Sequence, residues 1–175
     1  MAQPQHLGHR LARILRHRWL DERDAHQAIP PALVERLARR VAASEQHHSG
    51  QIRLYVEAGL PMSYLWRGAT PRERAVAVFS KLRVWDTEAN NGVLIYLMLA
   101  EKAIETVADR GLASRVTPGE WQAIVSRMRP ALRSGRFEDG LNQALDEVSA
   151  LLVTHFPLAR GQTNPNELPD QPVLG

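Results

Sequence analysis

Oxygen-rich polar side chains occur in three short segments of this 175-residue chain, and their types suit the binding of a cation or a phosphate group. The segments are residues 47–50, 84–91 and 109–112. Carboxylate and amide oxygens on short loops are the ligands that hard cations such as Ca²⁺ and Mg²⁺ prefer. The candidate metal ligands are therefore Asp86, Asn90 and Asp109. The candidate ligands for a substrate or its phosphate are Ser49, Thr87, Asn91 and Arg110.

The same residues also have structural interpretations. Asp86 or Thr87 can cap a turn, and the run Asn90-Asn91-Gly92 is ordinary turn chemistry before a strand. Asp109 and Arg110 can form a surface ion pair. Taken one at a time, the residue types favour these structural roles. The metal and phosphate assignments therefore depend on whether the three segments meet in the fold.

Other catalytic chemistries find little support in the sequence. The adjacent pair His47-His48 points in two directions, and no second histidine pair stands at the helical spacing of zinc proteases. Ser49 beside His48 lacks the strand-to-helix turn that presents a serine nucleophile. The absence of cysteine excludes thiolate chemistry, disulfides and cysteine-built zinc sites. No catalytic residue can be assigned, and an enzyme is not the favoured interpretation.

Three predicted strands bring the polar segments to one edge of a sheet. Residues 52–56 alternate apolar and polar side chains, 93–99 are apolar throughout, and 103–108 alternate weakly. A capping box at Thr70-Pro71-Arg72-Glu73 begins a helix that connects the first two strands. Such a crossover makes those strands parallel, and the third strand returns antiparallel. A continuous helix over 93–109 is the competing prediction because the reversal contains helix formers and no glycine.

Segments on both sides complete the predicted organisation, which is an N-terminal helix and linker at 1–29, the domain at 30–157, and an extended or disordered tail at 158–175. Residues 5–19 predict a basic amphipathic helix, which could lie on a membrane surface. The favoured interpretation packs its apolar stripe on the domain and leaves its arginines in solvent. Pro130 should bend or end the helix that begins at Thr117. Four prolines from residue 157 onward predict a tail without regular structure.

Composition excludes several classes of protein. The longest apolar run, residues 93–100, is far shorter than the roughly 20 residues needed to cross a bilayer. The first residues lack the apolar core of a signal peptide, so we expect a cytoplasmic protein. The net charge of +3 comes with basic residues that are spread along the chain and match no nucleic-acid-binding module. We expect a protein partner rather than a nucleic acid.

Four segments resemble a known family. They are His48-Ser49-Gly50-Gln51-Ile52-Arg53, the run 84–111, Gly135-Arg136-Phe137-Glu138-Asp139-Gly140 and Asn166-Glu167-Leu168-Pro169-Asp170. Together they look like a TPM domain in its short soluble proteobacterial form, matching over about residues 30–157 and again in the tail. The resemblance implies a three-layer α/β/α sandwich around a small mixed sheet. It therefore favours strands over a long helix at 93–109.

The resemblance also sets functional expectations. TPM-domain proteins include a plant thylakoid-lumen protein assigned a low acid phosphatase activity, relatives that bind divalent cations, and membrane-anchored members that act through partners. We expect a non-catalytic binding or scaffold module with a Ca²⁺ or Mg²⁺ site, or alternatively a weak metal-assisted acid phosphatase. In the alternative, Asp86 and Asp109 hold the ion and Arg110 binds the phosphate. The family's Gly-x-Gly-x-Glu element is Asp109-Arg110-Gly111-Leu112-Ala113 here, so Ala113 replaces its glutamate.

Overall fold

The computed structural model describes the backbone of residues 4–175 and the side chains from residue 10 onward. The helices are α1 Pro4–Trp19, α2 Glu22–Ala28, α3 Pro31–Glu45, α4 Met62–Trp66, α5 Pro71–Lys81, α6 Arg110–Ala113, α7 Pro118–Arg133 and α8 Phe137–His155. The strands are β1 Gln51–Glu57, β2 Gly92–Met98, β3 Ala103–Ala108 and β4 Val173–Leu174.

Local sequence signals account for where the longer helices begin. At the start of α5, Thr70 Oγ1 accepts a hydrogen bond from the Glu73 amide at 3.2 Å, and Glu73 Oε2 accepts one from the Thr70 amide at 2.7 Å. The same reciprocal pair joins Thr117 and Glu120 at the start of α7. Each box satisfies two amide groups that the first turn of a helix leaves without partners. These helix starts match the sequence prediction.

The sheet is mixed and has the strand order β3-β2-β1-β4. β1 and β2 are parallel, with Gln51 opposite Gly92, and α5 forms the crossover between them. β3 is antiparallel to β2, with Ala108 opposite Val93. The predicted parallel pair and returning strand are thus confirmed, and the competing continuous helix over 93–109 is wrong.

Helical layers cover both faces of the sheet. On one face Val93, Ile95 and Leu97 of β2 pack with residues of α3, α7 and α8. On the other face Leu94 and Tyr96 pack with residues of α4 and α5. All seven residues of β2 are buried, and each buried large apolar side chain stabilises the fold by about 1.5–3 kcal/mol. The fold is the predicted three-layer α/β/α sandwich.

A buried ion pair joins the sheet to α5. Arg74 Nη2 donates to Glu57 Oε1 at 2.6 Å, and the Tyr96 hydroxyl donates to Glu57 Oε2, also at 2.6 Å. Glu57 has 5% of its surface exposed, and the side chain of Arg74 has 14%. Because both charges are largely removed from water, each depends on the other for compensation.

Two predictions about the second half of the chain need correction. Pro130 does not end α7, which continues to Arg133, because Met128 and Leu132 are buried against the core and compensate for the hydrogen bond that proline cannot make. The tail is also not without regular structure, since Val173–Leu174 pairs in parallel with β1. The guanidinium of the buried Arg53 donates to the carbonyl oxygens of Pro169 and Gln171, which holds the tail along the sheet.

The orientation of α1 also differs from the favoured prediction. Leu11 and Leu15 are more than half exposed, whereas Arg13 Nε donates to Glu101 Oε1 at 2.7 Å. Ile14 packs against the core. The side of α1 that carries Arg13, Ile14 and His17, rather than the side with Leu11 and Leu15, therefore docks on the domain, and Arg16 and Arg18 stay exposed. The part of the predicted stripe before residue 10 lies outside the described side chains.

Three short helices, α2, α4 and α6, were not predicted, because they contain too few residues to show an apolar period. Within residues 4–175, no helix combines the length and apolar character required to span a lipid bilayer.

Candidate functional site

The fold brings the three polar segments together where β1 and β2 begin and β3 ends. Asn91 Nδ2 donates to Ser49 Oγ at 3.3 Å, and the Asn91 amide donates to Thr87 Oγ1 at 3.1 Å. Arg110 Nε donates to Asn90 Oδ1 at 2.8 Å. Six of the seven candidate residues therefore lie in one neighbourhood, which we call the loop edge: Ser49, Thr87, Asn90, Asn91, Asp109 and Arg110.

Close backbone packing fixes the geometry of the loop edge. The Gly111 amide donates to the Asn90 carbonyl at 2.9 Å, and a Cβ atom on Gly111 would lie 2.4 Å from that oxygen. Asn90 has a φ of 52°, in the left-handed region that asparagine tolerates better than most residues. Asp109 Oδ1 accepts from the Arg110 amide at 2.7 Å and caps α6. The close approach thus requires glycine at position 111, and the left-handed backbone favours asparagine at position 90.

Two buried oxygens of the loop edge make no hydrogen bond to the protein. They are Asn91 Oδ1 and Asp109 Oδ2. Leaving a buried polar atom without a partner costs about 1–3 kcal/mol. These two atoms are the feature of the loop edge that points to a ligand.

The three proposed metal ligands do not converge. Asp86 is 57% exposed, and the charged group it approaches is Arg83 at 4.0 Å. The amide oxygen of Asn90 already accepts a hydrogen bond from the positively charged Arg110. Among the side chains that the structure describes, no group of three or more His, Asp or Glu residues could hold a metal ion. The two unpaired oxygens suit a hard cation chemically, but water would have to supply most of its 6–8 ligands.

The tail covers much of the loop edge. Asn164 Nδ2 donates to the carbonyl oxygens of His48 at 2.8 Å and Gly50 at 3.1 Å. The Glu88 amide donates to Glu167 Oε2 at 2.9 Å. A cavity of about 500 Å³ remains between the tail and the loops, with Ser49 and Glu88 in its wall. A ligand of the loop edge would thus contact the tail as well.

Two buried titratable groups beneath the loop edge have structural roles. Burial lowers the pKa of His48 to about 4, although its Nδ1 lies 3.1 Å from the Gly50 carbonyl oxygen. His48 Nε2 contacts Ser44 Oγ at 2.8 Å, so it is not paired with Ser49. Burial raises the pKa of Glu45 to about 7, against the opposing effect of the hydrogen bond that the Ile52 amide donates to its Oε1 at 2.9 Å.

A larger cavity lies on the other side of β3. It measures about 940 Å³, and its wall includes Arg72 of α5, Glu105 of β3 and Trp121, Val125 and Arg129 of α7. A second cavity of about 300 Å³ continues from it and shares Glu105, Val125 and Arg129. We call the two together the β3–α7 groove.

Positive charges outnumber negative charges in the wall of the β3–α7 groove. Arg72 Nη1 lies 3.9 Å from Glu105 Oε2, and burial raises the pKa of Glu105 while Arg72 and Arg129 oppose that rise. Lys102 and Arg133 add positive charge to the wall of the smaller cavity, which also contains Glu101. This groove was not predicted from the sequence. Its signal is the spacing of Trp121, Val125, Arg129 and Arg133, which recur every four residues on one face of α7.

A mixed four-stranded sheet between helical layers places the chain among α/β/α sandwich proteins. A family model described as the TPM domain matches residues 23–151, and the chain belongs to the TPM domain family.

Two solved structures have a similar fold. The first is the NMR structure of the BA42 protein from the psychrophilic bacterium Bizionia argentinensis, with 23% identity and a TM-score of 0.69 over 86% of this chain and 94% of that chain. The second is the NMR structure of the N-terminal domain of a P. gingivalis protein, with 19% identity and a TM-score of 0.58 over 72% of this chain and 79% of that chain. Comparison with curated protein sequences gives no match. At these identities the similarity shows the fold alone.

Proposed function

We propose that the protein is a non-catalytic binding module that holds an extended acidic segment of a partner protein in the β3–α7 groove. The observation that carries the proposal is the shape and charge of that groove. Its volume of about 940 Å³ lies within the range of ligand-binding clefts. Trp121 and Val125 form an apolar wall, and Arg72 and Arg129 supply positive charge beside them.

Recognition in this groove would use side chains rather than a new sheet hydrogen-bond ladder. β3 lies at the end of the sheet, where a strand could pair with an added segment. The guanidinium of Arg72 donates to the Thr106 carbonyl oxygen of that strand. This contact occupies one acceptor of the strand and blocks continuous pairing there. Carboxylates of a partner would instead meet the guanidinium groups of α7.

The position of the hydrogen-bonded pair Ser44 and His48 supports a non-catalytic role. Ser44 and His48 form a hydrogen bond, but His48 is fully buried, and neither residue lines the β3–α7 groove or the loop-edge cavity. Ser44 Oγ also contacts Ser149 Oγ at 2.5 Å, so its hydroxyl ties α3 to α8.

Binding of a fluorescent peptide of alternating glutamate and valine tests the proposal. We expect binding that weakens with salt and that falls on the order of tenfold or more in the double variant Arg129→Glu, Arg133→Glu, because charge reversal repels the peptide. Arg39→Glu is the matched control, since the Arg39 side chain is 70% exposed on α3. Equal peptide affinities for the double variant and the control would contradict the proposal. We expect the interaction in the cytoplasm, which cell fractionation can test.

A second candidate function, a metal-assisted phosphomonoesterase at the loop edge, is favoured by the unpaired oxygens of Asn91 and Asp109. Arg110 would bind the phosphate. Calorimetric titration with Ca²⁺ and Mg²⁺ and turnover of an aryl phosphate test it together. The expected result is cation binding and turnover that are both lost in Asp109→Asn. Turnover that persists in this variant would assign the activity elsewhere.

A further inference from the structure

The described part of α1 docks on the domain through Arg13, Ile14 and His17 rather than through Leu11 and Leu15. The polar face makes the contacts: Arg13 donates to Glu101 Oε1 at 2.7 Å and to the Ala69 carbonyl oxygen at 2.6 Å. His17 is buried, and its Nδ1 accepts from the Leu60 amide at 2.9 Å. That bond leaves the proton on Nε2, which lies 2.9 Å from Glu101 Oε1.

This docking leaves an apolar stripe in solvent. Leu11, Leu15 and Trp19 follow one another at intervals of four residues, and their exposed fractions are 54%, 57% and 84%. The neighbouring helix α4 adds Trp66, which is 67% exposed and whose carbonyl oxygen accepts from Arg10 Nη2 at 2.9 Å. A contiguous row of exposed large apolar residues of this kind marks an interaction surface.

The charges on α1 itself are positive, and the nearest acidic residues in the sequence, Asp21 and Glu22, follow the helix. The sequence of α1 contains no aspartate or glutamate, and its last turn carries Arg16 and Arg18, which are exposed. Arg67 is the residue directly after α4, and its guanidinium carbon lies 4.4 Å from the centre of the Tyr64 ring. A second copy of the chain docked face to face would bring the same cations together, which disfavours self-association. A negatively charged surface complements them.

We propose that α1 and Trp66 form a membrane-surface contact that binds bilayers rich in anionic lipid. In this arrangement α1 lies parallel to the bilayer, with Leu11 and Leu15 inserted at the boundary between headgroups and acyl chains. The indole rings of Trp19 and Trp66 lie at the level of the headgroups, where amphipathic aromatic rings are most stable. Arg16 and Arg18 contact lipid phosphates, and the contacts of Arg13 and His17 hold the helix in position throughout.

Vesicle sedimentation of the full chain tests the proposal, with vesicles of equal parts phosphatidylcholine and phosphatidylserine and with vesicles of phosphatidylcholine alone. We expect sedimentation with the anionic vesicles only, and its loss at high salt. The double variant Leu11→Ser, Leu15→Ser should reduce the partition coefficient by on the order of tenfold or more, because both side chains leave the acyl boundary. Val76→Ser, Val153→Ser is the matched control, since both valines are exposed at more than 40% on other helices and should leave binding unchanged.

Tryptophan emission and sedimentation equilibrium provide two further tests of this membrane contact. Tryptophan emission should shift to shorter wavelength on addition of anionic vesicles, and Trp19→Phe should reduce that shift. A protein that stays in the supernatant with both vesicle types overturns the proposal, and so does equal binding to both. A dimer in sedimentation equilibrium that Leu11→Ser, Leu15→Ser converts to a monomer would assign the stripe to a second copy instead.

Discussion

Replacement of Glu45 by glutamine should stabilise the protein at neutral and alkaline pH. Glu45 has 4% of its surface exposed, and burial raises the pKa of its carboxyl from 4.5 to about 7. Because the pKa in the folded protein lies above the pKa in the unfolded chain, the folded protein binds the extra proton between these values. The contribution of protonated Glu45 to the free energy of unfolding is complete below pH 4.5 and is lost as the pH rises through 7.

The magnitude follows from the two pKa values. One pKa unit corresponds to about 1.36 kcal/mol, so ionisation of Glu45 should cost about 3 kcal/mol near pH 8. Glu45→Gln removes this cost and keeps an oxygen for the Ile52 amide. For a domain of this size the change corresponds to a rise in Tm of roughly 6–12 °C. Near pH 5 the difference between variant and parent should fall below about 1 kcal/mol.

Urea denaturation of the parent and the variant across this pH range measures the effect. The comparison is needed because His48 acts in the opposite direction: burial lowers its pKa from 6.5 to about 4, so its contribution is present above 6.5 and is lost as the pH falls through 4. The contribution of His48 is the same in the variant and the parent, so it cancels when their free energies of unfolding are subtracted. Glu35→Gln, at a side chain 73% exposed on the same helix, should show no such pH dependence. A Glu45→Gln effect that does not change with pH would contradict the raised pKa of Glu45.

Three further substitutions should destabilise the fold in measurements of unfolding by urea. Arg74→Ala should cost about 3–5 kcal/mol because it leaves the buried Glu57 carboxylate without its partner. Gly111→Ala should cost about 1–3 kcal/mol because its Cβ would lie 2.4 Å from the Asn90 carbonyl oxygen. Asn164→Ala should cost about 1–3 kcal/mol and increase proteolysis within residues 157–175, because it removes the bonds that hold the tail on the loop edge.

Matched changes separate these effects from general sensitivity to substitution. Arg39→Ala removes an exposed cation and should change the free energy of unfolding by less than about 0.5 kcal/mol. Gly68→Ala is a poor control for Gly111, because Gly68 has a φ of 71°. Gly119 is suitable, because its φ is ordinary and an added Cβ would lie 4.0 Å from its neighbour, Thr117 Oγ1. If Arg74→Ala lowers the free energy of unfolding no more than Arg39→Ala does, the buried Glu57 carboxylate does not depend on Arg74 for stability.

The parts of the fold that could be predicted are those with a local cause. The capping pairs at Thr70 and Thr117 place the starts of α5 and α7, because each involves residues only three apart. The apolar run of β2 indicates burial on both faces. Once a crossover helix makes β1 and β2 parallel, the meeting of the loops at one edge follows from topology alone.

The parts that could not be predicted depend on contacts between distant residues. Arg53 is separated by 116 residues from Pro169, and nothing in the proline-rich tail shows that this buried guanidinium will bind its carbonyl oxygens. The β3–α7 groove needs the rotation of α7 and the position of Arg72, which only the assembled sheet fixes. The outward stripe of α1 depends on Glu101 and the Ala69 carbonyl oxygen, which the helix period does not reveal.

The most direct test of the proposed function is an NMR titration of the labelled protein with the peptide of alternating glutamate and valine. We expect chemical-shift changes at the Thr106 amide and the Trp121 indole N–H, in the β3–α7 groove. Amides of the loop edge, such as that of Asn91, should remain unchanged. Shift changes confined to the loop edge or the tail, or no changes at all, would contradict the assignment of the groove as the binding site.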